Sequence, residues 1–314
     1  MSKLSEPLKA FINAAHARPN TTPAPRHIAS VYEKIARDAG SQKVGMPAWL
    51  TVSTAATMTM NSPQSLLELY GLATSPNYNK GNDNKVWTAE LMREVGLKCI
   101  GLNGEPSTTV SPRTSKPNSK NANPEGTLPP HRHHPIAFQT KLTPRHPLRN
   151  LTPQTLPTTL TRGHTLWESI YRPFSSKLTS KLAQSHPDLP VFIIEAEYGA
   201  LFSDPAYPSP SSKPHADPNT PPNIGRVLMS LLAVAVLRAQ TGVGPQVVSH
   251  MFGLRKAFED GTAAAEGSVE GGEWLAGDEG GMWMLGVVDE IVEAIGEGRG
   301  TSFAPGNGAP RAKL

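Results

Sequence analysis

His250 is the residue whose setting best suits chemistry. It lies in IGRVLMSLLAVAVLRAQTGVGPQVVSHMFGLRKAFED, Ile224 to Asp260, where an almost continuously apolar helix, a tight turn and a second helix follow one another. The start of that second helix gathers free backbone N–H groups and the positive end of a helix dipole. Three residues after Val247 and four before Leu254, His250 falls on the apolar side of its helix. Two readings follow: a core histidine with its hydrogen bonds satisfied, or a proton shuttle for a small substrate. Arg255, Glu259 and Asp260, further along, read as a solvated face.

The other reactive types are sparse. Cys99 is the sole cysteine, which excludes an intrachain disulfide, a Cys-based zinc site and a CxxC redox pair. It sits in an apolar stretch without a resolving partner and reads as buried and inert. His131, His133 and His134, with His146 nearby, are of the type that binds zinc or copper. Only Glu125 accompanies them among nearby acids, so they read as a low-complexity cluster, and neither a metal nor a cofactor is expected. There is no P-loop, no GxSxG elbow and no HExxH. Gly242 and Gly244 lack the third glycine of a dinucleotide fingerprint and follow a helix rather than a strand. Ala312, Lys313 and Leu314 form a variant of the SKL peroxisomal address. They place the chain in the peroxisome with an import receptor as partner, the mitochondrion and cytoplasm being the alternatives.

The elements that must hold these residues read as helices. Ser62 and Pro63 open a helix with Leu66, Leu67 and Tyr70 on one face. A second starts near Thr88, turns Leu91, Met92 and Val95 inward and stops at Gly96. TVSTAATMTM, before Asn61, suits a buried helix or a strand equally. Order resumes near Gly163 with a helical period through Leu166, Trp167, Ile170, Tyr171 and Phe174, which Pro173 must bend or break. Val191 to Ile194 is too short to classify, and Tyr198 to Pro222 reads as a loop. Ile224 to Gln240 is a helix buried on most sides, Pro245 opens another to about Asp260, and Trp283 to Ile295 is amphipathic.

Composition sets the boundaries. Of 31 prolines, 21 fall between Glu105 and Pro222, a density that helix interiors and central strands do not absorb. Between Ser107 and Pro135 only Val110 and Leu128 are large and apolar, too little to offset the entropy of ordering. The chain therefore divides into 1–104, a helical unit; 105–160, a disordered insert; 161–298, a second helical unit; and 299–314, a flexible tail. The net charge of +4 hides a segregation: Glu259 to Glu297 carries 11 of the 26 acids and no Lys or Arg. The basic remainder is scattered without aromatic interleaving, so no nucleic-acid partner is expected. The longest apolar run, Val227 to Leu237, is about half of what a spanning helix needs, so no membrane partner is expected either.

The segment around His250 resembles the carboxymuconolactone decarboxylase/AhpD-like superfamily, whose helical repeat carries a CxxCxxxH pattern there. The matching positions are Val243, Gln246 and His250, flanked by LRAQTG and LRKAFEDG. Residues 45 to 104, with LMREVGLKCIG, resemble a first repeat, and Gly163 to Leu201, with WESIYRPFSSKL, the start of a second. The resemblance implies an all-α AhpD-like bundle of two related units, a trimeric or hexameric homo-oligomer, and a peroxidase-like or decarboxylase-like enzyme on a small organic substrate. His250 and Gln246 are the catalytic positions it implies. Neither Val243 nor Gln246 can form a thiolate, so a dithiol peroxidase cycle is excluded at this place. The acid of the peroxidase branch would fall near Leu231, which is apolar. The alternative is a non-catalytic oligomeric scaffold or binding protein that keeps the fold. The break at Pro106, inside the first repeat, is what a retained intron or shifted reading frame would produce.

Overall fold

The computed structural model describes residues 4–12, 14, 21–78, 84–103, 147–205, 222–265 and 267–298. Among these there is no strand, and the protein is all-α. The short α1 (Glu6–Ile12) buries nothing. Helix α2 (Ile28–Ser41) turns Ile28, Tyr32, Ile35, Ala36 and Ala39 inward, the spacing of one helical face.

Helix α3 (Met46–Thr59) is the central rod, buried at every position from Ala48 to Thr59. The ambiguous TVSTAATMTM is a helix, and two of its five hydroxyls bond back within it, while those of Thr51, Ser53 and Thr54 are buried without a partner among the described residues. Thr57 Oγ1 donates to Ser53 O at 2.7 Å and Thr59 Oγ1 to Ala55 O at 2.9 Å. Small side chains then let α2, α4 (Pro63–Ala73), α5 (Asn84–Asn103), α9 (Gly225–Gln240) and α13 (Asp278–Gly296) all approach it. Tyr32, fully buried, closes one side with its hydroxyl 2.7 Å from Thr57 Oγ1.

Helix α5 does not stop at Gly96. It runs on to Asn103 because that glycine is a packing notch: a Cβ there would sit 3.1 Å from Met58 Cε on α3. Gly101 is a second notch, 2.8 Å from the Phe202 ring by the same measure.

Order also returns earlier than composition suggests. Helix α6 (Leu156–Tyr171) opens seven residues before Gly163, inside the stretch assigned to the 105–160 insert. Thr152 and Thr155 exchange hydrogen bonds ahead of it, and Pro157 occupies its first turn. Residues 104–146 lie outside the described residues. The helix ends before Pro173, as expected, and α7 (Ser175–Ser185) follows.

A short α8 (Leu189–Val191) continues into a π helix, Phe192–Phe202; together they take in Val191 to Ile194 and the first residues expected to be a loop. Gly163 on α6 faces Gly199 on the π helix so closely that a Cβ on Gly163 would lie 2.5 Å from Ile194 O. Two backbones meet there because neither carries a side chain.

Helix α9 is apolar and buried on nearly all sides, and α10 (Gly244–Glu259) follows a turn through Thr241 and Gly242, both at positive φ. The short α11 (Thr262–Ala265) and α12 (Gly272–Ala276) lead to α13, whose Met284, Val287, Val288, Ile291 and Ile295 face inward. Its first turn carries Asp278 and Glu279, which suit the positive end of the dipole. Helices α3 and α9 share one continuous apolar core, so the residues before and after 105–160 fold against each other rather than around separate centres. No described helix is long and apolar enough to cross a membrane.

Candidate functional site

Three helices converge on His250. Its own helix, α10, carries it to a position only 4% exposed. Tyr171, the last residue of α6, brings its hydroxyl to 3.2 Å from His250 Nε2, and that hydroxyl lies 2.9 Å from the hydroxyl of Tyr198 on the π helix. The result is a chain of three polar atoms inside an aromatic wall: Trp167 packs on Tyr171 at 4.3 Å with the rings tilted by 46° and meets Tyr198 edge-on at 5.1 Å.

Electrostatics keep the chain neutral. Burial, and then the Arg226 guanidinium, push the His250 imidazole down to about 4, so it is uncharged at neutral pH. Burial pushes the Tyr171 phenol up and Tyr198 well above its ordinary value, so both keep their protons. His250 Nδ1 is buried with no hydrogen-bond partner among the described residues. Whichever tautomer forms, one ring nitrogen is left unsatisfied, a costly arrangement that structures normally avoid.

Arg226 is the buried charge behind this cluster. Its Nε donates to Ser169 Oγ at 3.0 Å and its Nη2 to the carbonyl of Gly253 at 2.6 Å, while Nη1 meets Ser230 Oγ. Gly253 has no room for more, since a Cβ would stand 2.9 Å from Ile170 Cγ2 and 3.3 Å from Arg226 Nη2. Just over one turn beyond Arg226, Leu231 is fully buried. Glu197, beside Tyr198, is pushed up to about 7 by burial and acts on both phenols through its charge.

A groove of about 720 Å³ opens between α7 and α10, within the usual range for small-molecule sites. Ile170 and Tyr171 are among the residues that line it. Tyr171 is thus common to both features: it lines the groove, and its hydroxyl touches His250. Phe174 and Phe252, 69% and 65% exposed, stand on the groove walls.

A second polar cluster is an ion network. Lys98, fully buried on α5, lies 3.0 Å from Asp204 Oδ1 and 3.7 Å from Glu94 Oε1 and donates to the Phe202 carbonyl. Arg149 pairs with Glu94 from across the 104–146 stretch. No groove residue belongs to it, so it ties helices together rather than forming a site.

Of the sequence-derived site residues, only His250 stands in the cluster. Gln246 lies one turn earlier on α10, exposed, and makes no side-chain hydrogen bond among the described residues. Cys99 is fully buried and its thiol is pushed far above the ordinary range by burial, which removes it as a nucleophile. His131, His133, His134 and His146 and the tripeptide Ala312, Lys313, Leu314 lie outside the described residues. Among the described residues no group of three or more His, Cys, Asp or Glu could hold a metal ion. Tyr171, Tyr198 and Arg226 are what sequence reasoning missed. Tyr171 was legible as part of an apolar helical face, but its partners are 27 and 79 residues away, and nothing local announces them.

No protein-family model, curated protein or solved structure matches this chain.

Proposed function

We propose that the chain is an enzyme that moves a proton on a small organic substrate, with Tyr171 presenting the reacting hydroxyl at the groove and His250 taking up the proton behind it. The observation that carries this reading is Tyr171 itself, which lines the groove and touches a buried, neutral imidazole. Taking up a proton at Nε2 works against burial and Arg226, which hold the imidazole at about 4, but giving one up would leave an imidazolate, which is costlier still. The relay therefore runs inward. As the substrate C–H beside a carbonyl loses its proton to the Tyr171 oxygen, the Tyr171 proton passes to His250, and no free phenolate forms. Tyr198 holds the Tyr171 hydroxyl in line. The substrate keeps the electron pair as an enolate, and the imidazolium returns the proton when the product forms.

This is the acid–base half of what the AhpD-like resemblance implies, with the thiol half absent. The position of His250 just after a buried helix and a tight turn supports that relationship. The trimeric or hexameric assembly and the peroxisomal address belong to the same proposal. Sedimentation of the purified protein tests the first. Deletion of Ala312 to Leu314 tests the second, with a diffuse distribution expected and an unchanged peroxisomal one refuting it.

The test of the relay is solvent exchange. The protein is incubated in deuterium oxide with a panel of small 2-oxo acids, 3-oxo acids and lactones, and carbon-bound deuterium is followed by NMR. Exchange is expected, falling about a hundredfold or more in Tyr171→Phe and His250→Gln, with helicity retained by circular dichroism. No exchange in the wild type, or unchanged exchange in both variants, overturns the reading. With hydroperoxide and a thiol reductant no turnover is expected, and Cys99-dependent turnover overturns it as well. A binding protein is the second reading, favoured by the open groove and its two exposed phenylalanines.

A further inference from the structure

We infer that the groove between α7 and α10 selects an organic anion with an apolar body: a soluble oxo-monocarboxylate whose carboxylate head is held by Lys177 and Lys181, whose chain lies on Phe174, Leu178 and Phe252, and whose ketone carbonyl lies at the Tyr171 end. This names the substrate class of the proposed proton-transfer site and rests on that reading only for what happens at Tyr171.

Charge is the first argument. The groove is lined by Arg172, Lys177, Lys181, Arg255 and Lys256, against a single carboxylate, Glu259. Three of the cations are already engaged: Arg255 with Asp278 at 2.6 Å, Arg172 with Asp260 at 3.9 Å, and Lys256 with the Arg172 carbonyl. Lys177 and Lys181 make no hydrogen bond or ion pair among the described residues. They stand four residues apart on α7, SSKLTSKLAQS, which holds no acid. Like charges at that spacing repel and destabilise the helix, and a carboxylate between them reverses the sign. The Lys256 ammonium is held below its ordinary value first by burial and next by Arg172, a sign that positive charge is locally in excess.

The apolar wall is the second argument. Phe174 and Phe252 come from different segments, expose most of their surface and line the same groove. Leu178 lies one turn along from Phe174, on the face that carries Lys177 and Lys181 into the groove. An ion without an apolar body would leave both rings in water. An uncharged apolar molecule would leave both lysines without a partner. Only an amphiphilic anion satisfies the two sets of side chains together.

Isothermal titration with sodium octanoate tests the assignment, with acetate and octylammonium chloride as the head-only and opposite-charge probes. Saturable octanoate binding is expected, with neither control binding. Affinity is expected to fall about tenfold or more in the double variant Lys177→Gln/Lys181→Gln and in Phe252→Ser. All three side chains are exposed, so the fold is retained. Equal binding of octanoate and octylammonium, or unchanged affinity in the double variant, overturns the inference. So does binding to phosphatidylglycerol vesicles without binding of octanoate, which would make the groove a lipid-surface contact. The two readings fail separately. Octanoate binding lost while deuterium exchange persists removes the substrate class and leaves the relay. Octanoate binding intact in a protein without exchange removes the relay and leaves the groove.

Discussion

Acidification should loosen the protein through one residue, and the size of the effect follows from where His250 sits. In the unfolded chain its imidazole titrates near the ordinary 6.5, and in the folded protein burial and Arg226 push it down to about 4. The unfolded state therefore binds the extra proton between those two values. Folding stability is complete above pH 6.5 and is lost progressively as pH falls toward 4. At about 1.4 kcal/mol for each pH unit crossed between the two values, the loss reaches about 2 kcal/mol at pH 5 and about 3 kcal/mol at pH 4. Glu197 works in the opposite direction. Its carboxyl is pushed up to about 7, so its uptake of a proton favours the folded state as pH falls from 7 through the ordinary carboxylate range. The wild-type curve mixes both contributions, so the informative quantity is a difference. Urea unfolding of the wild type and of His250→Gln, followed by tryptophan fluorescence at pH 7 and pH 5, isolates it, because Glu197 and every exposed acid are common to both. Wild type should lose about 2 kcal/mol more than the variant over that interval. An equal loss in the two proteins would mean that His250 is open to water in the folded state, and the neutral relay would fall with it.

Three other substitutions probe the frame, and a fourth its tightest turn. Gly163→Ala places a methyl group 2.5 Å from Ile194 O, with backbone on both sides, and should destabilise by about 3 kcal/mol in thermal melts. Gly71→Ala, in the last turn of α4 with nothing within 4 Å, should stabilise by about 0.5 kcal/mol. Lys98→Met strips Asp204 of its buried cation and should cost about 3–5 kcal/mol in urea unfolding, most of it recovered when Asp204→Asn is added. Thr241, at φ 64° and ψ 164°, occupies backbone territory natural only to glycine, so Thr241→Gly should raise the midpoint of unfolding by the equivalent of about 1 kcal/mol.

The helices most readable in the sequence are those whose burial is written in a run of side chains. Ile224 to Gln240 became α9 because an unbroken apolar stretch of helical length has few other places to go. Pro173 ended α6 because no context restores its missing donor. Gly96 misled for the opposite reason. A glycine that ends a helix and one that admits a neighbour are identical in the chain, and only Met58, on another helix, tells them apart. The π helix escaped for a similar reason: its bulge is accommodated by Gly163 on α6, a residue far from it in sequence. His250 was readable as a histidine on the apolar face of its helix. Its neighbourhood was not, because the approach of Tyr171 and Arg226 belongs to the packing of α6 and α9 rather than to any spacing along α10.

The pairing of Arg149 with Glu94 bears on how this chain can be cut and rejoined. The stretch 104–146 departs from Asn103 at the end of α5, and just after it Arg149 is fastened nine residues back on that same helix. Along a helix that separation is about 13 Å, a span that some four extended residues cover. A linker of eight glycines and serines in place of 104–146 should therefore leave every described helix where it is, and the shorter loop should favour folding by only about 1–2 kcal/mol. A core so closely packed can for the same reason coexist with a composition so foreign to it. Lengthening a connection whose two anchors are already neighbours taxes the fold only logarithmically, so chain can be gained between Asn103 and Pro147 at little cost to the helices on either side.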